Sequence, residues 1–314
     1  MILVTGAAGF IGFHTAQRLL DRGQSVLGVD KLDDSYDPSL KRARLSILNG
    51  YTKFRFAYID LSDSQATEEL FQGWNFSGVC HLAAQSGNRN KSFDAYHKSN
   101  IEGFNNLMES ACNAQVANFV YASSYSVYGN NPHVPCTETD PLDMPASLYA
   151  ASKRANEQQA FLYHQKFNFP STGLRFFTVY GPWGRPDMAY FKFTQALLEG
   201  KEITIYNQGC LERDFVYIDD LVDGIISALD NIYPMAIFNL GSAHPVSLEE
   251  LISVLERLTE KKARKKYICE PIDEAPQIWA DINKSQEMLH FIPHIELEEG
   301  LANFVKWYRK QYRV

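Results

Sequence analysis

The first half of the chain alternates short apolar runs with amphipathic stretches. The apolar runs are Ile2–Thr5, Ser25–Asp30, Phe54–Asp60, Val79–Leu82, Phe119–Ser123 and Thr172–Phe177. Short apolar runs bounded by turn residues are typical of buried β-strands. Between them, Ile11–Arg22 has the spacing of a helix that ends at Gly23, and the apolar residues of Ile101–Cys112 recur at helical spacing. Strands that alternate with helices predict an α/β fold, with a doubly wound parallel sheet covered by helices on both faces.

The second half of the chain has shorter apolar runs and frequent prolines. Ser247–Glu250 has the sequence of a capping box and predicts a helix that continues to about Thr259. Glu298–Tyr312 predicts a last amphipathic helix. We therefore predict a sheet domain over residues 1–170 and a smaller domain formed mainly by residues 171–314. Phe238–Gly241 is apolar enough to cross back and rejoin the sheet.

A glycine-rich loop, GAAGFIG, separates the first predicted strand from the first predicted helix. Its glycines allow a tight turn and a close approach to a pyrophosphate, and the helix that follows offers free N–H groups at the positive end of its dipole. The spacing is GxxGxxG rather than GxGxxG, and glycines also occur in turns that bind nothing. Its position after a strand and before a helix favours a dinucleotide site formed by Gly6, Gly9, Phe10, Ile11 and Gly12.

Acidic residues end the second and third predicted strands. Asp30 can accept hydrogen bonds from both hydroxyls of an adenosine ribose and would repel the extra phosphate of NADP, which favours NAD; its alternative role is to begin a loop. Asp60, followed by Leu61, is placed to contact adenine or merely to cap its strand. The small residues in Leu82–Ala84 let a cofactor lie close to the fourth strand.

Tyr149 and Lys153 are four residues apart at the start of a predicted helix and therefore share one face. A neighbouring ammonium and a nicotinamide cation stabilise a tyrosine phenolate, which can then take a proton from a hydroxyl. Ser124, after a predicted strand, is placed to share that proton, and Ser126 lies close to it in sequence. The alternative is that these serines only cap the strand end. Together they predict hydride transfer at a carbinol.

Composition limits the partners. The net charge of −7 argues against binding to nucleic acid or to an anionic membrane. The first ten residues lack the basic start of a signal peptide, and the five cysteines are odd in number and scattered. No CxxC pair or histidine cluster suggests a metal site. These observations predict a protein of the reducing cytoplasm without a metal.

Several of these motifs are found together in one family. The glycine loop, HLAA at 81–84, the Ser124, Tyr149 and Lys153 set, and RDFVYIDD at 213–220 resemble the extended short-chain dehydrogenase/reductase family over essentially the whole chain. LRFFTVYGPWGRPDMA at 174–189 is similar to the signature of its UDP-glucuronate 4-epimerase branch. The resemblance implies a Rossmann fold, tightly held NAD, a UDP-sugar substrate and reversible epimerisation at C4.

The same resemblance assigns residues to the substrate. Thr178 and Arg185 match positions that meet the sugar and its carboxylate, Arg213 matches a diphosphate contact, and Arg89 matches the arginine after HLAA. A guanidinium suits a carboxylate because it offers two parallel donors. The alternatives are a solvated loop arginine at 185, an ion pair with an adjacent carboxylate at 213, and a cofactor phosphate or loop contact at 89.

Three substitutions leave the hexose open. Asn88, Asn90 and Tyr125 depart from the family pattern near the expected sugar pocket. No carboxylate precedes Val127, where the dehydratases and decarboxylases of the family carry acids, which favours epimerisation. The alternatives are an epimerase of a neutral or N-acetylated UDP-hexose, a nucleotide-sugar oxidoreductase or decarboxylase of the same fold, and a non-catalytic binding protein.

The resemblance also implies a homodimer. In that dimer, residues 101–112 and 148–167 of each copy form a four-helix contact, unless each helix packs on its own sheet.

Overall fold

Seven parallel strands form the central sheet of the computed structural model, which describes residues 1–87, 92–131, 133–142, 145–206, 211–268 and 275–314. In chain order the strands are β1 (Ile2–Thr5), β2 (Val26–Asp30), β3 (Phe54–Tyr58), β4 (Gly78–His81), β5 (Phe119–Ser124), β6 (Ser171–Phe176), β7 (Thr178–Tyr180), β8 (Glu202–Tyr206), β9 (Glu212–Tyr217), β10 (Met235–Leu240), β11 (Pro245–Ser247), β12 (Arg264–Ile268) and β13 (Gln277–Ile278). The sheet has the order β10-β6-β5-β4-β1-β2-β3. The predicted doubly wound α/β fold is confirmed.

The helices cover both faces of this sheet. They are α1 (Phe10–Asp21), α2 (Pro38–Leu48), α3 (Ser64–Gly73), α4 (Phe93–Tyr96), α5 (Gly103–Asn113), α6 (Leu148–Phe167), α7 (Ala189–Glu199), α8 (Ile218–Asp230), α9 (Leu248–Thr259), α10 (Asn283–Leu289) and α11 (Leu297–Tyr312). A π-helix at His97–Glu102 leads into α5, and a 3₁₀ turn at Tyr125–Tyr128 follows β5. Helix α1 packs against α2 and α8, whereas α5 packs against α3 and α6. No helix in the described ranges is both long and apolar enough to cross a membrane.

Burial explains why these segments are regular. The strands at the middle of the central sheet are buried on both faces, with Leu3, Val4 and Val79 fully inaccessible to solvent. Each such side chain contributes roughly 1.5–3 kcal/mol on burial. Helix α9 begins where Ser247 Oγ accepts a hydrogen bond from the N–H of Glu250, at 3.1 Å, as the capping-box sequence predicts.

The chain returns to the sheet after leaving it. Strand β6 begins just after the predicted boundary at residue 170, and β10 pairs with it in parallel. Strand β9 pairs with β7, β11 and β13, and β8 pairs with β12, outside the central sheet. The division into residues 1–170 and 171–314 stays a prediction, but these pairings show that residues 171–176 and 235–240 belong to the central sheet.

Candidate active site

A cavity of about 760 Å³ opens at the carboxyl ends of the parallel strands, a size typical of small-molecule sites. It spans the gap between β1 and β4, where the strand order reverses and where ligands of open α/β sheets bind. The predicted site residues that line it are Gly6, Gly9, Phe10, Ile11, Gly12, Asp30, Asp60, Leu61, Leu82, Ala83, Ala84, Ser124, Ser126, Tyr149, Lys153, Thr178, Arg185 and Arg213. Arg89 lies outside the described residues, as do Asn88 and Asn90. The roles of these residues stay predictions.

The glycine loop leaves room for a ligand at the start of α1. Gly6 has a φ of +69°, and a Cβ on it would lie 2.8 Å from the backbone nitrogen of Ala83. A Cβ on Gly12 would lie 2.0 Å from the carbonyl oxygen of Gly6, so the turn closes only without side chains. Gly9, at the N-cap of α1, supplies no side-chain cap for the first N–H groups. These features fit the diphosphate of a dinucleotide.

The two predicted acidic contacts are both held by backbone donors. Asp30 accepts hydrogen bonds from the N–H groups of Ala8, at 3.1 Å, and Leu32, at 2.8 Å, while its burial raises its pKa. A carboxylate has about four acceptor positions, so Asp30 retains capacity for a ribose. Asp60 accepts from Ser62 and from Lys31 Nζ, which is 3.2 Å away. These contacts are compatible with a strand-end cap, and Asp60 also lines the cavity, so both of its predicted roles stay predictions.

Tyr149 and Ser124 meet where β5 and α6 converge. Ser147 Oγ caps α6 by accepting from the N–H of Ala150, and the first turn of that helix carries Tyr149. The phenol shares a side-chain hydrogen bond with Ser124, which lowers the pKa of Tyr149, but burial has the larger effect and raises it. The phenol thus sits above its usual pKa and needs nearby positive charge to act as a base at neutral pH.

Lys153 lies near the phenol and donates its hydrogen bond to the backbone of β5. Its ammonium donates to the carbonyl of Ala122, at 2.8 Å, and lies 6.0 Å from the centre of the Tyr149 ring. Burial lowers the pKa of Lys153 to about 8, so the group is still mainly charged at pH 7. The charge of Arg185 lowers the pKa of Tyr149. That Lys153 supports the phenolate stays a prediction.

Arg185 is an ion-paired arginine rather than a solvated one. Its Nε donates to Oδ1 of Asp187 at 3.0 Å, and its Nη2 donates to Oδ2 of the same carboxylate. Thr178, which begins β7, lines the same cavity. Arg213 donates from Nη1 to the carbonyls of Glu212, at 2.8 Å, and Pro276, at 3.3 Å.

A buried arginine that sequence reasoning missed joins the glycine loop to the segment before Arg185. Arg44, on α2, is fully buried and donates to the carbonyls of Ala8, Trp183 and Gly184. Trp183 has a φ of +60°, a conformation that a non-glycine residue adopts only under constraint. The bond between Arg44 and the Trp183 carbonyl supplies such a constraint. No local pattern in α2 signals this contact, because its partners are up to 140 residues away.

A second buried network lies behind the catalytic helix. The guanidinium of Arg175 on β6 donates from Nε and Nη2 to the two oxygens of Glu157, both at 2.9 Å. Ser123 Oγ donates to the same carboxylate at 2.6 Å. The two charged side chains are each 3% exposed. Glu157 lies one turn after Lys153 on α6, and its charge raises the pKa of Lys153.

Comparison with known proteins identifies the family. Residues 2–241 match the NAD dependent epimerase/dehydratase family. The chain belongs to the NAD-dependent epimerase/dehydratase family. This family assignment confirms the predicted NAD cofactor and the predicted class of enzyme. Among the described residues, no group of three or more His, Cys, Asp or Glu side chains is arranged to hold a metal ion.

Proteins similar to this chain include 4-epimerases whose names specify an acidic UDP-sugar and others whose names specify a neutral UDP-sugar. UDP-glucuronate 4-epimerase 4 of Arabidopsis thaliana is 45% identical over 332 residues, which cover 99% of this chain and 76% of that protein. The crystal structure of UDP-glucuronic acid 4-epimerase from Bacillus cereus, in complex with UDP-glucuronic acid and NAD, superposes with a TM-score of 0.93 at 35% identity and covers 99% of both chains. The UDP-glucose 4-epimerase of Thermotoga maritima, solved with UDP-glucose, has a TM-score of 0.89 at 29% identity and also covers 99% of both chains.

Proposed function

We propose that this chain interconverts UDP-glucuronate and UDP-galacturonate by epimerisation at C4 of the sugar. The observation that carries the proposal is the position of Arg185, which lines the same cavity as Tyr149 and lies close enough for its charge to lower the pKa of that phenol. A guanidinium beside the reacting position suits a sugar with a carboxylate one carbon away. The relatives named UDP-glucuronate 4-epimerase support the same substrate.

The proposed chemistry divides between the cofactor and the chain. NAD, when bound, supplies the acceptor and later the donor of the C4 hydride. Tyr149 takes the proton of the C4 hydroxyl as that carbon is oxidised and returns it when the carbon is reduced from the opposite face. Ser124 holds the hydroxyl through its bond to Tyr149, and Arg185 favours the phenolate. Lys153 anchors the helix to β5 through Ala122 and adds positive charge.

Arg185 has a second task in this proposal. The 4-ketone makes the uronate a β-keto acid, which loses carbon dioxide when the bond from C5 to the carboxylate lies perpendicular to the plane of the ketone. A planar guanidinium that engages both carboxylate oxygens opposes movement of the carboxylate into that position. The 3₁₀ turn after β5 contributes no acid to assist elimination, since Tyr125 and Ser126 precede Val127. The residues of the cavity thus favour return of the hydride over decarboxylation.

The proposal is tested by incubating the purified protein with a panel of UDP-sugars in deuterated water, without added NAD, and resolving products by NMR. We expect UDP-glucuronate and UDP-galacturonate to interconvert with no deuterium at C4, because the same hydride returns to the carbon. Conversion of UDP-glucose or UDP-N-acetylglucosamine in preference to the uronate would replace the proposed substrate. Deuterium at C4 would contradict the return of the same hydride, and a requirement for added NAD(H) in each turnover would indicate an oxidoreductase instead.

Replacing Arg185 by alanine tests the carboxylate contact. Hydrogen bonds to charged groups contribute about 1.5–3 kcal/mol, so we expect kcat/KM for UDP-glucuronate to fall roughly ten- to a hundred-fold. Binding of UDP-glucose, which lacks the carboxylate, should change little. Arg185→Lys is the matched control and should recover only part of the loss, because an ammonium cannot reproduce the two parallel donors. An equal loss of binding affinity for both sugars would place Arg185 at the nucleotide or in a purely structural role, whereas a loss of kcat shared by both sugars is expected from its effect on Tyr149.

We also propose that two copies pair through α6. Phe161 and Leu162 on this helix are 44% and 59% exposed, a larger apolar exposure than a solvated helix needs. The apolar residues of α5 instead pack on the chain's own sheet, around Phe104 and Leu107. Support for a dimer contact therefore rests on α6, and sedimentation equilibrium of the intact protein decides the oligomeric state.

A further inference from the structure

The guanidinium of Arg185 has two edges that can each bind a carboxylate, and this chain occupies one of them. Nε and Nη2 form one edge, and both donate to the side chain of Asp187. Nη1 and the remaining hydrogen of Nη2 form the other edge. Within the described part of the chain, Nη1 makes no hydrogen bond. Arg185 therefore reaches the cavity with one edge engaged and the other available.

We propose that Asp187 is a positioning residue that fixes the Arg185 guanidinium so that its Nη1–Nη2 edge meets the carboxylate of the sugar. Asp187 thereby determines the preference for acidic over neutral UDP-sugars. This inference rests on the function proposed above, since it assumes that Arg185 binds a uronate. Asp187 itself is absent from the lining of the cavity, so it acts through Arg185 rather than by touching the substrate.

Hydrogen bonds hold the backbone on both sides of Arg185, so the conformational freedom that remains lies in the torsions of its side chain. Arg44 holds the carbonyls of Trp183 and Gly184, and the N–H of Met188 donates to the carbonyl of Arg185 at 3.2 Å. A Cβ on Gly184 would lie 1.8 Å from the hydroxyl of Tyr190, so a residue with a side chain does not fit at this position. A long arginine side chain still has several free torsions, and its ordering opposes binding. The pair with Asp187 orders it before the substrate arrives.

The charge of Asp187 has an opposing effect. It neutralises part of the attraction that Arg185 exerts on an approaching anion. At physiological salt, that attraction is largely screened at distances beyond about 8 Å. Two aligned hydrogen bonds act at contact instead, and their strength depends on the orientation of the guanidinium. We therefore infer that the gain in orientation outweighs the loss of charge, and that removal of Asp187 weakens uronate binding.

The experiment uses the full-chain enzyme with its resident NAD and three variants. Asp187→Asn removes the charge and leaves one oxygen acceptor, so the side chain can no longer accept from both Nε and Nη2. Asp187→Glu keeps the carboxylate one methylene further out. Glu68→Gln removes an exposed carboxylate on α3, away from the cavity, as the matched control for loss of charge. Calorimetry gives Kd for UDP-glucuronate and UDP-glucose, and product analysis gives the fraction of 4-keto pentose.

We expect Asp187→Asn to raise Kd and to lower kcat/KM for UDP-glucuronate by about tenfold. This is the size of effect expected when a hydrogen bond between charged groups is weakened because the guanidinium is no longer aligned with the carboxylate. The Kd of the variant for UDP-glucose should stay within about twofold of the wild-type value. The share of 4-keto pentose should rise, because a loosely held carboxylate turns more freely. Asp187→Glu should recover part of the uronate preference, and Glu68→Gln should match the wild type for both sugars.

Two results would overturn the inference. The first is an Asp187→Asn enzyme that binds UDP-glucuronate as tightly as the wild type or more tightly, which would mean that charge outweighs orientation. The second is an equal loss for both sugars, which would reduce Asp187 to a support of the loop. A wild-type enzyme that binds but does not convert UDP-glucuronate would overturn the proposed function alone, since the two Kd values would still decide the role of Asp187.

Discussion

Replacement of Tyr149 by phenylalanine is expected to lower kcat by about a hundred- to ten-thousand-fold, the usual contribution of a positioned general base. The ring should stay in place, because it packs 6.1 Å from the ring of Tyr96, centre to centre, and against Gly87, where an added Cβ would lie 3.1 Å from it. What the variant loses is the hydroxyl that bonds to Ser124 and accepts the substrate proton. The measurement is the rate of conversion of UDP-glucuronate at saturating substrate.

Two controls separate proton transfer from assembly of the site. The Tyr149→Phe protein should copurify with as much NAD as the wild type, since the glycine loop and Asp30 lie on other elements. Ser124→Ala should lose less activity than Tyr149→Phe, because Ser124 shares the hydroxyl proton without being its final acceptor. Turnover of Tyr149→Phe within a few-fold of the wild type would remove Tyr149 from the mechanism.

The sequence predicts the regions where a local pattern decides the structure. The bounds predicted for β1 are those observed, and α6 begins and ends at Leu148 and Phe167 as expected. The glycine loop could be placed because a turn between a strand and a helix leaves few alternatives for its three glycines. Burial of apolar runs and the capping of helices depend on neighbours in sequence, so single-chain reasoning can identify them.

The electrostatics of the site depend on contacts that sequence spacing does not encode. The four-residue spacing of Tyr149 and Lys153 places both residues on one face of α6. It does not reveal that the ammonium donates to the carbonyl of Ala122, or that the charge of Arg185 also lowers the pKa of Tyr149. The ion pair between Arg185 and Asp187 could have been predicted from the sequence, since an acidic residue two positions from an arginine is a candidate partner. The choice between that partner and solvent needed the fold of the loop, which Arg44 holds from α2.

Replacement of Glu157 by alanine is expected to lower the free energy of unfolding by about 3–5 kcal/mol, because it leaves the Arg175 guanidinium charged and unpaired in the interior. The change also removes the acceptor of Ser123 Oγ, on the strand that carries Ser124. Denaturant unfolding of the NAD-containing protein measures the loss.

The matched control is the double variant Glu157→Leu/Arg175→Met, which removes both charges. It should recover most of the stability, since a packed apolar pair often replaces a buried ion pair without loss. A double variant as unstable as Glu157→Ala would assign the effect to packing rather than to the unpaired charge.

The same double variant separates the stability of this network from its effect on Lys153. The charge of Glu157 raises the pKa of Lys153, which burial has lowered to about 8. Without Glu157 that pKa should fall further, so Lys153 should lose its proton at a lower pH than in the wild type. If the ammonium is needed to support the phenolate, kcat of the stable double variant should decline on the alkaline side at a lower pH than kcat of the wild type. The pH profile of kcat is the measurement. An unchanged alkaline limb in a folded double variant would mean that Glu157 stabilises the junction of α6 and β5 without tuning the catalytic lysine.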